Sequence, residues 1–146
     1  MGLIHELTRK NIVCSTNIEE NNRAEIVIVT TSANGAILDT NLLKNAKVIY
    51  DITQPKNTPD HIMQGTDITY IDGGLIKLPE NVKISMDISL PKGVAFSCLS
   101  ETILLAISGK YYLKSEKDLK VENIKELSAL AIEHNFNSYL ITNGNK

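Results

Sequence analysis

Runs of Ile and Val recur along the chain at short intervals, in NIVCST around Ile12, EIVIVTT around Ile26, AKVIYDIT around Val48 and DITYIDGG around Ile68. Each reads as a β-strand. At Ile26–Val29 and Val48–Tyr50 the runs are continuously apolar, the pattern of strands covered on both faces in a parallel sheet. Between the runs, IEENNRA, ILDTNLLKN and TPDHIMQ are compatible with short helices, and in the last Thr58 is placed to cap while Pro59 suits a first helical position. Strand, loop, helix and strand in series, with right-handed crossovers, describe an α/β chain of the doubly wound type.

After Asp72-Gly73-Gly74 the rhythm changes. LIKLP and VKISMDISLP read as extended pieces broken by Pro79 and Pro91. A helix is then expected from about Ser97 to Ser108, with Leu99, Ile103 and Ala106 or Ile107 on one face and Gly109 as a left-handed cap. VENIKELSALAIEHN predicts a second helix that repeats Ile124, Leu127 and Ala131 and closes near Asn135. No internal repeat or flexible linker interrupts the sequence, so residues 1–146 read as a single domain.

Composition narrows the class. A hydrophobic fraction of 42% and a formal net charge of -2 fit a folded chain and argue against an electrostatic nucleic-acid binder. No apolar stretch reaches the roughly 18 to 20 residues that span a bilayer, and the opening MGLIHELTRKN lacks a signal peptide's apolar block. With two cysteines, the expectation is a reducing, cytoplasmic setting. His5, His61 and His134 are scattered, with no two histidines or cysteines at metal-ligand spacing, so no metal is expected.

Candidate chemistry falls at two kinds of place. In GVAFSCLSETILLAI, Cys98 stands just inside a predicted helix, where free N–H groups and the positive helix end favour a thiolate nucleophile. The competing reading is a buried packing residue, which is also the reading for Cys14. Glu101 could orient substrate or move a proton, but helix capping explains it better. The second kind of place is the carboxyl ends of the strands, where open α/β sheets bind ligands. Thr31, Ser32 and Ala33 there are small enough for a sugar or nicotinamide to approach the backbone, although Asn34-Gly35 would serve equally in an ordinary turn. Asp51 and Pro55, and then Asp72, Gly73 and Gly74, take corresponding places, so three loops are expected along one edge of the sheet. Tyr111-Tyr112 is expected to pack where the chain leaves the helix, and Lys114–Lys120 to be a solvated connection.

DITQPKN, TYIDGGLIKLP, AFSCLSETILLAISGKYY and IKELSALAIEHNF, in this order, resemble the carboxyl-terminal part of the long-chain fatty acyl-ACP reductases and related bacterial proteins described as amino acid dehydrogenases. The resemblance covers about Glu25 to Phe136. It implies NADPH-dependent reduction of an acyl thioester, acyl-ACP or acyl-CoA, to an aldehyde through an acyl-enzyme on Cys98. The cofactor would lie against Thr31, Ser32, Ala33, Asp72, Gly73 and Gly74.

The sequence also departs from that pattern. No G-x-G-x-x-G occurs, so the expectation is a partial Rossmann-like parallel sheet with flanking helices, lacking the glycine-rich first βαβ unit, with LIHELTRK as the tail of a helix. NADP binding is expected only if the phosphate-binding half is supplied. A half sheet exposes an apolar edge, which invites a second copy or a separate amino-terminal piece. Two alternatives stand beside this reading: a dehydrogenase acting on an amino or hydroxy acid, and a noncatalytic Rossmann-like binding or assembly module.

Overall fold

The computed structural model describes residues 14–33, 35, 37–113 and 120–143. The expected helix tail at LIHELTRK, the turn residue Asn34 and most of the charged connection after Leu113 lie outside these residues. The fold is α/β with a mixed sheet of parallel and antiparallel strands and a few helices, so the expected parallel pairing describes part of the sheet. The chain divides into two compact units, one formed by Ser15–Leu75 with the strand residues from Tyr139, the other by Ile76–Ser138.

The first unit is built on β1 (Ile26–Val29), β2 (Val48–Asp51) and β3 (Thr69–Lys77). β1 and β2 are parallel, as are β2 and β3, in a register that lines up Val29, Asp51 and Asp72 across the sheet. The α-helix α1 (Asp60–Gly65) lies between β2 and β3 in the chain. The other two helical expectations here are corrected: Ile18–Arg23 and Thr40–Leu42 form only 3-10 turns, opened by Asn17 and Asp39, whose side chains accept from Glu19 and Asn41 N–H. These short polar side chains bond the nearby backbone and so favour a tight turn over a longer helix. Val27, Val29, Leu38, Leu43, Ile49, Ile62 and Tyr70 form the core.

The other face of this sheet corrects a second expectation. Along β1, Val27 and Val29 are buried while Ile26 and Ile28 are 65% and 63% exposed. The run is apolar throughout, yet only alternate residues find a cover, because successive side chains point to opposite faces. Cys14, Ser15 and Thr16, at the end of the expected strand around Ile12, are irregular and exposed, which also overturns the packing reading of Cys14.

β3 is longer than the sequence indicates. It does not end at Asp72-Gly73-Gly74 but continues to Lys77, with Gly74 at a φ of +72° within it. Gly73 has a packing reason: a side-chain carbon there would overlap the Tyr50 ring and lie 2.8 Å from Ile52 Cγ2. β5 (Asn137–Thr142), which the apolar pattern does not signal, pairs with β3. Asn143 closes it, donating from Nδ2 to Ile68 O at 2.9 Å and accepting at Oδ1 from Tyr70 N–H.

In the second unit, β4 (Val94–Phe96) leads directly into α2 (Ser97–Ser108), which ends at Gly109 with a φ of +69°, the left-handed cap expected there. The stretch between Leu78 and Gly93 is irregular, not extended, and Leu78 N–H donates to Gly93 O at its neck. α3 (Val121–Glu133) follows. The core joins Leu78, Ala95, Leu104, Leu105, Leu113, Leu130 and Phe136. The buried face of α2 is thus Ser100, Leu104 and Leu105, with Leu99 and Ile103 flanking it, and Ile107 is exposed. Likewise α3 buries Val121 and Leu130 more deeply than Ile124. Tyr111 and Tyr112 are exposed; Leu113 makes the packing contact expected of them.

Candidate functional site

The polar centre of the first unit is Asp51, fully buried at the end of β2. Its Oδ1 accepts from Thr53 N–H at 2.9 Å and Thr53 Oγ1 at 2.5 Å. Its Oδ2 accepts from Asn57 N–H at 3.1 Å, Thr58 N–H at 3.0 Å and Thr58 Oγ1 at 2.8 Å. Burial alone would raise its pKa, but the hydrogen bonds from Thr53 and Thr58 outweigh it and hold the carboxyl below its ordinary value. Thr58 is therefore engaged with Asp51, and the N-cap of α1 is Pro59, without a side-chain cap.

Asn57, also fully buried, connects this loop to the one after β1. Its Nδ2 donates to Ala33 O and Gly35 O, both at 3.0 Å, while its backbone O accepts from Ile37 N–H. Ala33 is positioned further by its own N–H, which donates to Thr31 Oγ1 at 3.0 Å. Ser32 is exposed and Thr31 partly so. The third stretch joins through Lys56, whose Nζ contacts Asp72 Oδ1 at 2.5 Å and donates to Asp51 O at 3.1 Å. A cis peptide links Gln54 and Pro55.

The structure therefore brings Thr31, Ala33, Asp51, Asn57 and Asp72 to one edge of the parallel strands, within one unit. Gly73 and Gly74 lie further along β3, and the room beside Gly73 is filled by Tyr50. Two buried groups at this sheet, Asn57 Oδ1 and the Tyr70 hydroxyl, have no hydrogen-bond partner among the described residues. Burial pushes the Tyr70 pKa up, and the charges of Asp51 and Asp72 raise it further, so the phenol stays protonated. The sequence reading missed Asn57 and Lys56. The carboxamide in DITQPKN, six residues after a buried aspartate, carries no chemical signature until the loop folds back on itself.

Cys98 lies in the second unit, at the second position of α2, and its side chain is exposed. Its carbonyl accepts from Thr102 Oγ1 at 3.0 Å. The buried reading of this cysteine does not hold. Glu101 stands at the fifth helical position, beyond the first turn in which a capping glutamate reaches back. The same unit contains an open hollow of about 610 Å³ formed by residues 77–94, with Val82, Ile84, Ile88 and Leu90 among its apolar walls. Among the described residues no group of three or more His, Cys, Asp or Glu is arranged to hold a metal ion, and no helix is long and apolar enough to cross a membrane.

Compared with known protein families and with curated protein sequences, the chain gives no match.

Proposed function

We propose that this chain is the thioester-reacting portion of a Rossmann-like oxidoreductase of the acyl-ACP or acyl-CoA reductase type, acting in the cytoplasm. The observation that carries the reading is Cys98: a solvent-accessible thiol in the first turn of a twelve-residue helix, within the stretch AFSCLSETILLAI that resembles those reductases. In the step proposed, the Cys98 thiolate attacks the acyl carbonyl carbon and the carbon–sulfur bond to the carrier breaks. The carrier leaves as a thiolate and takes up a proton, and the acyl group remains on Cys98. The apolar hollow in the same unit is of a size suited to small-molecule ligands, and its walls suit a hydrocarbon chain.

The completing reduction needs a hydride donor of the nicotinamide class. Thr31, Ser32 and Ala33 offer a strand end with small side chains, and Asn57 Oδ1 is an unfilled acceptor beside it. No glycine-rich phosphate loop is present in these 146 residues, and the cleft expected at Gly73 is occupied by Tyr50. The residues present do not compose a full dinucleotide site, so no step is assigned through NADP. Its binding requires a glycine-rich unit supplied by another segment or chain.

Mass spectrometry after incubation with a long-chain acyl-CoA tests the covalent step. Cys14 is also exposed and serves as an internal control. Acylation of Cys98 well ahead of Cys14, abolished in Cys98→Ser, is the expected result; equal labelling of both, or none, overturns the reading. The uncovered sheet face with Ile26 and Ile28 favours a second reading, a noncatalytic assembly module, and the same acylation experiment separates the two, because an assembly module has no reason to label Cys98 ahead of Cys14.

A further inference from the structure

The first unit ends in an edge strand with the features of a self-pairing surface. Among the described residues β1 hydrogen-bonds only to β2. Glu25 O accepts from Val48 N–H and Val29 O from Ile52 N–H, so residues 25, 27 and 29 direct their backbone groups at β2. Alternation along the strand turns the N–H and C=O groups of Ile26 and Ile28 outward, where among the described residues no strand pairs with them. The same two residues carry the exposed isoleucine side chains. The strand IVIV is entirely β-branched and has no internal proline, glycine or charge, the devices that normally protect an edge.

We infer that β1 pairs antiparallel with β1 of a second copy of this chain across a two-fold axis, with Val27 opposite Val27, extending the sheet through both protomers. This does not rest on the cysteine chemistry. Three observations select this occupant and this register. Opposed residues in a sheet share a face, so placing Val27 on Val27 keeps both covered faces on one side and sets Ile26 against Ile28 twice on the other. The outward groups of Ile26 and Ile28 then exchange all their hydrogen bonds across the axis. The charge pattern also discriminates: of the two residues that flank the strand in sequence, Glu25 is charged and Thr30 is not, and Glu25 is ion-paired with Lys47 on the surface. A parallel, in-register pair would bring the two glutamates together. The antiparallel one places each opposite Val29, four residues and about 13 Å away along the strand, beyond the screening length at physiological salt.

Sedimentation velocity over a range of concentrations, with the purified full chain, tests this. A reversible dimer is expected. Ile28→Pro removes one outward N–H and wedges a ring into the pairing edge while sparing every bond to β2. Ile26→Lys, a milder change, guards against a folding failure of the proline variant. Each should weaken dimerisation about tenfold or more, whereas Ile132→Lys, on an equally exposed helical position, should not. Hydrogen exchange should show the Ile26 and Ile28 amides protected in the dimer, and the amide at position 26 unprotected in both variants. A monomer at all concentrations, or a dimer that survives both β1 variants, overturns the proposal.

Discussion

The unit built on β1, β2 and β3 places charge and amide inside and leaves isoleucines outside, whereas the unit holding α2 and α3 buries leucines and keeps its cysteine in solvent. In the first, a loop of eight residues from Asp51 to Thr58 is fixed by one carboxylate that accepts five hydrogen bonds. In the second, the Cys98 thiol is positioned by its place on a helix whose underside packs Leu104 and Leu105. Order at the first rests on polar satisfaction, and order at the second on apolar packing. The two should therefore respond to different perturbations.

The sharpest way to break the contrast is Asp51→Ala. It leaves the buried N–H donors of Thr53 and Thr58 without an acceptor and strips Asn57 N–H of one of its two, and should cost about 4 kcal/mol, read as a fall in the urea midpoint. The same residue gives the first unit its acid sensitivity. Its folded pKa lies below the unfolded value of about 3.9, so its stabilisation is complete above that value and fades as the pH falls through the lowered one. Stability measured against pH should lose part of its acid limb in Asp51→Ala, and a retained limb would show that another carboxylate is responsible.

A smaller effect is expected in the other unit. Leu104→Ala opens a cavity in the leucine core and should cost about 3 kcal/mol, while Ile107→Ala, one turn on and half in solvent, should stay under about 1 kcal/mol. Neither should alter the pH profile. Between these two falls Gly73→Ala, at about 2 kcal/mol, because the new methyl meets the Tyr50 ring. Removing the ring in Tyr50→Ala should relieve it, so a double-mutant cycle by chemical denaturation should show strong coupling; additive losses would mean the ring is not the obstacle.

The same contrast explains what the sequence could convey. Val48–Asp51, the start of β3 and α2 with its Gly109 cap are local patterns, and they are legible because neighbouring residues alone set them. The burial pattern of β1 was not, because IVIV is apolar on both faces and only the partner elements decide which face is covered. That Leu104 and Leu105 would form the buried face was not legible for a similar reason, since α2 is apolar nearly all round and its helical period leaves several faces open. Asp72-Gly73-Gly74 read as a strand end because its glycines suggest a bend, whereas the strand runs on and Gly73 accommodates a ring from the adjacent strand. At the candidate site, Thr31, Ala33, Asp51 and Asp72 could be placed from strand position alone. Asn57 and Lys56 could not, since their roles arise only once a loop curls back over its own strand.

The amide nitrogen of Asn57 grips carbonyls from a segment more than twenty residues earlier, while its backbone N–H is held by Asp51. A single planar group thus makes two crossings of the chain move as one piece. Anything that seats itself beside Ala33 must either accept that geometry as it finds it or displace the loop after the next strand as well.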